Sequence, residues 1–136
     1  MINNNNMITN EELFQIAKDI VQNSYSPYSK FPVGAAVLYE DGSVYKGVNV
    51  ENSSLGLTLC AERNAISTAI AQGQKGKIKA IAIYAPKEKM CAPCGACRQW
   101  IWEFSNNGDT RIIIEANEGG IYETTIKELL PLGFNL

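Results

Sequence analysis

Apolar residues near the start of the chain repeat at the spacing of an amphipathic helix. They recur at helical intervals from Leu13 to Ile20, and Thr9 and Glu12 ahead of them have the spacing of a capping box. This pattern predicts a first helix over about 10–24, followed by a proline-rich loop.

The rest of the chain alternates short apolar runs, typical of buried strands, with segments of helical spacing. Two apolar segments flank Asp41-Gly42, a strong hairpin signal, and predict two antiparallel strands. The predicted strands are 33–39, 43–50, 79–85, 111–116 and 121–125, and the later helices are predicted from Cys60 to about Gly73, over 95–105 and around 126–130.

The order of these elements predicts the fold class. Strand, helix, strand, helix, strand indicates parallel crossovers, which are right-handed and place helices on the faces of the sheet. We expect an α/β protein, a three-layer α/β/α sandwich with a mixed sheet of about five strands. The length fits a single domain over residues 1–136, with residues 1–9 as a frayed leader.

Composition and charge narrow the class of protein. An apolar content of 46% supports a packed core, and a net charge of −2 with scattered basic residues argues against binding to nucleic acid or a membrane surface. The N-terminus lacks the features of a secretory signal, and no apolar run approaches the ~20 residues that cross a bilayer. We therefore expect a cytoplasmic protein.

The chain has no histidine and four cysteines, so any metal chemistry must rest on thiolates. Cys94 and Cys97 lie three apart at the start of one predicted crossover helix, and Cys60 opens the other. Helices that follow adjacent parallel strands begin at the same sheet edge, where ligand sites gather. Helix N-termini also favour the thiolate form. The arrangement predicts one zinc ion with three thiolate ligands and one open position.

Glu62 lies two residues after Cys60, which puts a carboxylate beside this predicted metal site. Without histidine, it is the best candidate to shuttle the proton of a water that zinc activates. Arg63 is adjacent and can offset the negative charge of three thiolates on a divalent cation.

Other interpretations of the same residues stay open. The CGAC segment at a helix start fits a thioredoxin-like redox pair. All four cysteines, Cys91 included, can close a structural zinc site without catalysis, and CxxCxxC hints at an iron–sulfur cluster whose usual spacing is absent. Glu62 can be a solvated carboxylate that the helix dipole favours.

Two segments together, CAE at 60–62 and PCGACRQ at 93–99, resemble the cytidine deaminase family. Zinc deaminases carry an H-x-E…P-C-x-x-C signature in which a Glu that is not a ligand acts as acid and base. This chain has Cys60 in place of the His. In this respect it resembles the three-cysteine branch of the family, the small homotetrameric enzymes that act on free nucleosides. Further segments resemble that branch in the same order, namely SPYSKFPVGAA (26–36), GVNVENSS (47–54), CAERNAI (60–66) and ELLPLGF (128–134).

The resemblance implies a role for individual residues. It implies one Zn²⁺ per subunit, held by Cys60, Cys94 and Cys97, with Glu62 as proton shuttle and Arg63 as thiolate partner. The substrate-binding residues that it implies are Phe31, Asn49, Glu51, Ala61 and Phe134, the last reaching a neighbouring subunit's site. Cys91 falls outside the family pattern and is interpreted as a spare thiol.

Asn49 and Glu51 can also be interpreted from their residue types and spacing alone, without the resemblance. They are two apart on a predicted strand end and so project from the same face, where an amide and a carboxylate can bind two sugar hydroxyls. Alone, the pair is more typical of a solvated strand end, and Phe31 alone is more often a core residue.

The function that the resemblance implies is zinc-dependent hydrolytic deamination of cytidine and 2′-deoxycytidine to uridine and 2′-deoxyuridine, with release of ammonia, in pyrimidine salvage. The implied partners are a free pyrimidine nucleoside and further copies of the chain, in a homotetramer with sites near subunit interfaces. A related deaminase of the blasticidin S type is an alternative, because the tail at 124–132 also resembles that enzyme, although Asn49 and Glu51 favour cytidine. A non-catalytic zinc module with four cysteine ligands is another.

Overall fold

The computed structural model describes residues 7–136, which form a five-stranded mixed sheet with helices on both faces. The strand order is β2-β1-β3-β4-β5, in which β3 and β4 are parallel and every other neighbouring pair is antiparallel. The strands are β1 (Gly34–Tyr39), β2 (Val44–Val48), β3 (Ile78–Tyr84), β4 (Arg111–Glu115) and β5 (Ile121–Thr125).

Among the described residues, four α-helices cover the sheet, and each was predicted close to its observed position. They are α1 (Asn10–Ile20), α2 (Ala61–Ala71), α3 (Gly95–Glu103) and α4 (Ile126–Leu129). Within residues 7–136, none of the helices has both the length and the apolar character that a bilayer span requires.

Alternate residues of the fully buried strand β1 face two separate hydrophobic clusters. Ala36 and Leu38 pack with residues of α1 on one face, whereas Ala35 and Val37 pack with residues of α2, α3 and α4 on the other. This alternation is the period of two of a strand buried on both sides. The prediction of a three-layer α/β/α sandwich with five strands is confirmed.

The N-terminal helix begins at the predicted capping box. The Glu12 N–H donates to Thr9 Oγ1 at 3.1 Å, and the Thr9 N–H donates to Glu12 Oε1 at 2.9 Å. Met7 and Ile8 pack against the cluster under α1, so the frayed leader expected over 1–9 does not extend to these residues, and 1–6 lie outside the described residues.

The C-terminal end of the first helix differs from the prediction. The α-helix ends at Ile20, and a 3₁₀ turn over Val21–Asn23 follows it. The Ser24 N–H donates to the Val21 carbonyl three residues back, which is the tighter 3₁₀ pattern, so the helix predicted to about 24 tightens over its last turn.

The strand neighbours also differ from the prediction in one respect. β1 lies between β2 and β3, so α2 connects two strands that are not adjacent. β2 and β3 still run in the same direction, because each is antiparallel to β1, and Gly34 pairs with both Val48 and Tyr84. The helices α2 and α3 therefore begin at one edge of the sheet, as the sequence predicted.

The start of α2 lies unusually close to the sheet at Gly47. A Cβ atom at this position would lie 2.5 Å from the carbonyl oxygen of Ala61 and 2.4 Å from the backbone nitrogen of Ala65. Glycine is needed here because two backbones approach closely. The contact fixes the height of the first turn of α2 above the sheet.

Candidate metal centre and active-site cavity

Three cysteines from two distant segments converge at the starts of α2 and α3. Cys60 is the N-cap of α2, Cys94 is the N-cap of α3, and Cys97 lies in the first turn of α3. The three Sγ atoms all lie within 4.8 Å of one another, and those of Cys60 and Cys94 are 4.0 Å apart. The meeting of these sulfurs follows from the two helices starting at one sheet edge.

The spacing of the sulfurs fits a zinc ion. Zn–S bonds of about 2.3 Å in a tetrahedral site place two sulfurs about 3.8 Å apart. The observed 4.0 Å between Cys60 and Cys94 is close to this value, and all three cysteines are free of disulfides. Three thiolates occupy three corners of a tetrahedron, so they fit one zinc ion with one corner left for another ligand.

Neighbouring groups within the cluster favour a thiolate at Cys60. The nearby Cys97 thiol and, to a smaller extent, Arg63 lower the pKa of Cys60 to about 5. The nearby Cys60 sulfur, together with burial, raises the pKa of Cys97. Arg63 Nη2 lies 3.4 Å from Cys60 Sγ and donates to it, and it also donates to the Thr58 carbonyl at 3.4 Å. Arg63 therefore supplies positive charge where thiolates accumulate.

Glu62 is the second residue of α2 and is buried, with 4% of its surface exposed. Burial raises the pKa of its carboxyl to about 7, and the nearby Cys60 charge acts in the same direction. A carboxyl with a pKa near neutrality can both accept and release a proton, which is what general acid–base chemistry requires. Its environment is therefore not that of the solvated surface carboxylate that the sequence left open.

A cavity of about 400 Å³ opens beside the sulfur cluster and contains most of the predicted site residues. Phe31, Asn49, Glu51 and Ala61 all line it, as does Glu62. The complete lining is Ser29, Phe31, Val33, Asn49, Glu51, Thr58, Cys60, Ala61, Glu62, Ile83, Cys91, Ala92 and Cys94. One concave space thus contains the Glu62 carboxyl, two sulfurs of the cluster (Cys60 and Cys94) and the Asn49–Glu51 pair. This is expected of a small-molecule site.

Asn49 is held by the chain that precedes β1. Its Oδ1 accepts hydrogen bonds from the Val33 N–H at 2.9 Å and from the Ser24 hydroxyl, and its Nδ2 donates to the Phe31 carbonyl at 2.8 Å. An amide nitrogen has two donors. One N–H of Asn49 therefore has no partner among the described residues and is available to a ligand in the cavity.

Glu51 is held by the same segment. Its Oε1 accepts from the backbone N–H groups of Tyr28 at 3.0 Å and Ser29 at 3.1 Å, and its Oε2 accepts from the Ser29 hydroxyl. The Ser29 hydroxyl bond lowers the pKa of Glu51. A carboxylate has about four acceptor positions, so about one remains for a ligand.

Sequence reasoning assigned Asn49 and Glu51 to a sugar alone and missed these bonds to the loop. It also missed Ser29, which lines the cavity. The signal for the loop contacts is compositional: three serines at 24, 26 and 29 supply hydroxyl donors ahead of an amide and a carboxylate.

Phe134 and Cys91 lie apart from the sulfur cluster. Phe134 is 64% exposed in the C-terminal tail and does not line the cavity; Gln99 Nε2 donates to its carbonyl at 3.0 Å. Cys91 lines the cavity, but its sulfur is not part of the three-sulfur cluster. A closed site with four cysteine ligands is therefore not the arrangement in the structure.

Comparison with known proteins agrees with this geometry. Residues 7–115 match the family described as "Cytidine and deoxycytidylate deaminase zinc-binding region". A cytidine deaminase of Sporosarcina psychrophila is 46% identical over 125 residues, which cover 92% of this chain and 90% of the relative. A blasticidin-S deaminase of Bacillus cereus is 32% identical over 130 residues, 90% of each chain.

Solved structures give the same result. The crystal structure of the cytidine deaminase from Burkholderia pseudomallei superimposes with a TM-score of 0.86 at 39% identity, covering 93% of this chain and all of that one. The family match spans more than half of the chain, the relatives exceed 30% identity over nearly its whole length, and the sulfur cluster suits the zinc that the family description names. The chain therefore belongs to the cytidine deaminase family.

Proposed function

We propose that this chain catalyses the zinc-dependent hydrolytic deamination of cytidine and 2′-deoxycytidine to uridine and 2′-deoxyuridine, with release of ammonia. One observation carries the proposal: three sulfurs that fit a zinc ion, a buried carboxyl with a pKa near 7 and an amide–carboxylate pair share one corner of the fold. This combination suits metal-assisted hydrolysis of a small polar substrate better than it suits thiol–disulfide exchange.

The metal ligands in this proposal are Cys60, Cys94 and Cys97, with one zinc ion per chain. Bound there, zinc supplies a Lewis acid that makes water ionise near neutral pH. Three thiolates on a divalent cation leave a net charge of −1, which opposes that ionisation. The contact between Arg63 Nη2 and Cys60 Sγ supports Arg63 as the residue that offsets this charge.

Glu62 moves the protons. Its carboxylate accepts one proton from the attacking water and delivers it to the ring nitrogen beside the amine-bearing carbon of cytosine. It then passes the second proton of that water to the departing amine, which leaves as ammonia, and uridine remains. Each transfer needs a group that binds a proton loosely at neutral pH, and the burial that raises the pKa of Glu62 provides this.

The sugar and the base have separate contacts. The free N–H of Asn49 and the remaining acceptor position of Glu51 suit sugar hydroxyls, and Phe31 packs beside the nucleoside. Ala61 is the first residue of α2, so its N–H belongs to the first-turn donors without a partner in the helix. In this proposal, the Ala61 N–H donates to the carbonyl oxygen of the base.

The decisive experiment is an ultraviolet assay of purified protein with cytidine, 2′-deoxycytidine, cytosine and blasticidin S, each with and without a chelator. We expect turnover of both nucleosides, no turnover of free cytosine, and loss of activity after zinc removal. If the protein acts on blasticidin S alone, then blasticidin S, and not cytidine, is its substrate. Activity on none of the four would refute the proposal.

We also propose that the chain, a single domain, assembles as a homotetramer with its sites near subunit interfaces. An apolar groove of about 570 Å³ between α2 and α3 supports this, because Ile70 and Trp100 in its lining are 44% and 38% exposed. Exposed Phe134 is then available to reach a neighbouring site. Analytical sedimentation should give a mass of four chains for the wild type. Trp100→Asp should lower this mass, whereas Tyr122→Asp, at another exposed aromatic residue, should leave it unchanged. A monomeric wild type would contradict the proposed assembly.

The compartment and the cellular role are part of the same proposal. Zinc binding requires reduced thiols, which a cytoplasm maintains, so we place the protein there. The reaction would release the amino nitrogen of cytidine as ammonia and supply uridine for pyrimidine salvage. Cell fractionation with an antibody against the protein tests the compartment, and its recovery with secreted proteins would contradict it.

A further inference from the structure

Ser29 connects two residues that the proposed function assigns to the nucleoside. Its hydroxyl donates to Glu51 Oε2 and accepts a hydrogen bond from the backbone N–H of Phe31 at 3.0 Å. Its own backbone N–H donates to Glu51 Oε1 at 3.1 Å. One small side chain therefore contacts the carboxylate on one side and the segment that carries the aromatic ring on the other.

The backbone around Ser29 turns sharply, so these bonds hold a specific shape. Lys30 has a φ of 58°, in the left-handed region that residues other than glycine seldom adopt. The Ser29 hydroxyl bridges across this residue to Phe31, and Lys87 Nζ donates to the Lys30 carbonyl from the loop after β3. The turn is thus held from within by Ser29 and from outside by Lys87.

Glu51 depends on Ser29 for most of its orientation. Within residues 7–136, three hydrogen bonds reach its carboxylate. Ser29 supplies two of them, including the only one to Oε2. Without the hydroxyl, Oε2 has no protein partner among the described residues, and the carboxylate can rotate about its last side-chain bond. The acceptor position left for a sugar hydroxyl then no longer has a fixed direction.

We propose that Ser29 is a positioning residue that aims Glu51 at the sugar of the bound nucleoside. The inference rests on the proposed function, because it takes Glu51 as a contact of the sugar hydroxyls. Ser29 itself acts through this carboxylate. Its effect on binding must therefore depend on the sugar hydroxyls of the substrate, whereas simple damage to the loop would affect every nucleoside alike.

The experiment compares Ser29→Ala with a matched control, Ser53→Ala, in the zinc-loaded enzyme. Both serines are exposed, so neither substitution disturbs the core. In the part of the chain that the structure describes, the Ser53 hydroxyl bonds only the Tyr28 hydroxyl, at 2.7 Å. Each variant is assayed with cytidine and with 2′,3′-dideoxycytidine, which lacks both ring hydroxyls of the sugar. Thermal unfolding shows whether all variants fold equally.

For cytidine, we expect Ser29→Ala to raise KM roughly tenfold, as loss of one hydrogen bond to a charged group does, with kcat within about twofold of wild type. For dideoxycytidine, we expect little change, and Ser53→Ala should match wild type on both substrates. In a Glu51→Gln background, Ser29→Ala should have a much smaller effect, because the two act as one unit.

Equal KM increases on both substrates would overturn the inference, since they would reveal general loop damage, and so would an unchanged KM for cytidine. Failure of the proposed function looks different, because the wild-type protein would then turn over neither nucleoside. The two ideas can therefore fail separately.

Discussion

Cys60 and Cys94 each occupy the N-cap of a helix, and their sulfur atoms lie 4.0 Å apart although 34 positions separate them in the chain. The sheet creates this relationship, because β2 and β3 point the same way and deliver α2 and α3 to one edge. Neither N-cap side chain caps the backbone N–H groups of its own helix, so both sulfurs are available to a metal ion. The backbone thus prearranges the two proposed ligands.

Replacing Cys94 should remove most of the zinc, whereas replacing Cys91 should not. Cys94→Ala deletes one corner of the sulfur cluster, and Cys91 lies outside that cluster. Elemental analysis should find about one zinc per chain in the wild type and in Cys91→Ala, and far less in Cys94→Ala. Full occupancy in Cys94→Ala would contradict the assignment of this ligand.

Glu62→Gln should keep the fold and the zinc but lose turnover. The amide is nearly the same size as the carboxyl, but it cannot accept and release a proton, and general acid–base catalysis typically contributes about 10²–10⁴-fold. We expect kcat to fall by about that factor in a uridine-formation assay, with zinc content unchanged. Glu118→Gln, at an exposed turn, is the matched control. Near-normal uridine production by Glu62→Gln would refute the shuttle role.

The sequence could predict the sulfur cluster because its signals are local. Helix starts at Cys60 and Gly95 follow from apolar spacing, and the mixed sheet follows from the order of elements. The position of β1 between β2 and β3 was not predicted, since strand order depends on pairing across the sheet. The error was harmless because the direction of β2 and β3 is the same either way.

The loop before β1 shows where sequence patterns carry too little information. Its hydrogen bonds to Glu51 join residues 22 and 23 positions apart, and no periodicity encodes them. A strand pattern places Asn49 and Glu51 on one face, but it cannot reveal that most of their hydrogen-bonding capacity is already used by the loop. The end of α1 at Ile20 was missed for a similar reason, because its last turn tightens before Ser24, whose side chain bonds Asn49.

Gly47→Ala should destabilise the protein and weaken zinc binding together. A Cβ would meet the backbone of α2 at 2.4–2.5 Å, so the helix that carries Cys60 must move away from the sheet. Overpacking of this kind costs about 3 kcal/mol. Urea unfolding measures the loss, and Gly56→Ala, where a Cβ meets nothing within 4 Å, should change the free energy of unfolding by less than about 0.5 kcal/mol. Equal free energies of unfolding for Gly47→Ala and Gly56→Ala would show that α2 can move away from the sheet without cost.

Tyr39→Phe should stabilise the protein, most of all at alkaline pH. The Tyr39 side chain is fully buried at the end of β1, edge-on to Tyr45 with ring centroids 5.6 Å apart, and its hydroxyl has no hydrogen-bond partner among residues 7–136. Removing an unpaired buried hydroxyl should raise the free energy of unfolding by about 1 kcal/mol at neutral pH.

The alkaline effect follows from the direction of the pKa shift. Burial, with a smaller contribution from Tyr45, raises the pKa of Tyr39 from 10.0 to about 12. The folded state therefore holds this proton more tightly than the unfolded state does, so wild-type stability falls as the pH rises from 10 through 12, by about 2 kcal/mol. Tyr39→Phe has no ionisable hydroxyl at this position, so its stability does not fall in this way. Urea unfolding at a series of pH values should show the two proteins diverging above pH 10, and parallel curves would mean that the Tyr39 hydroxyl reaches water in the folded state.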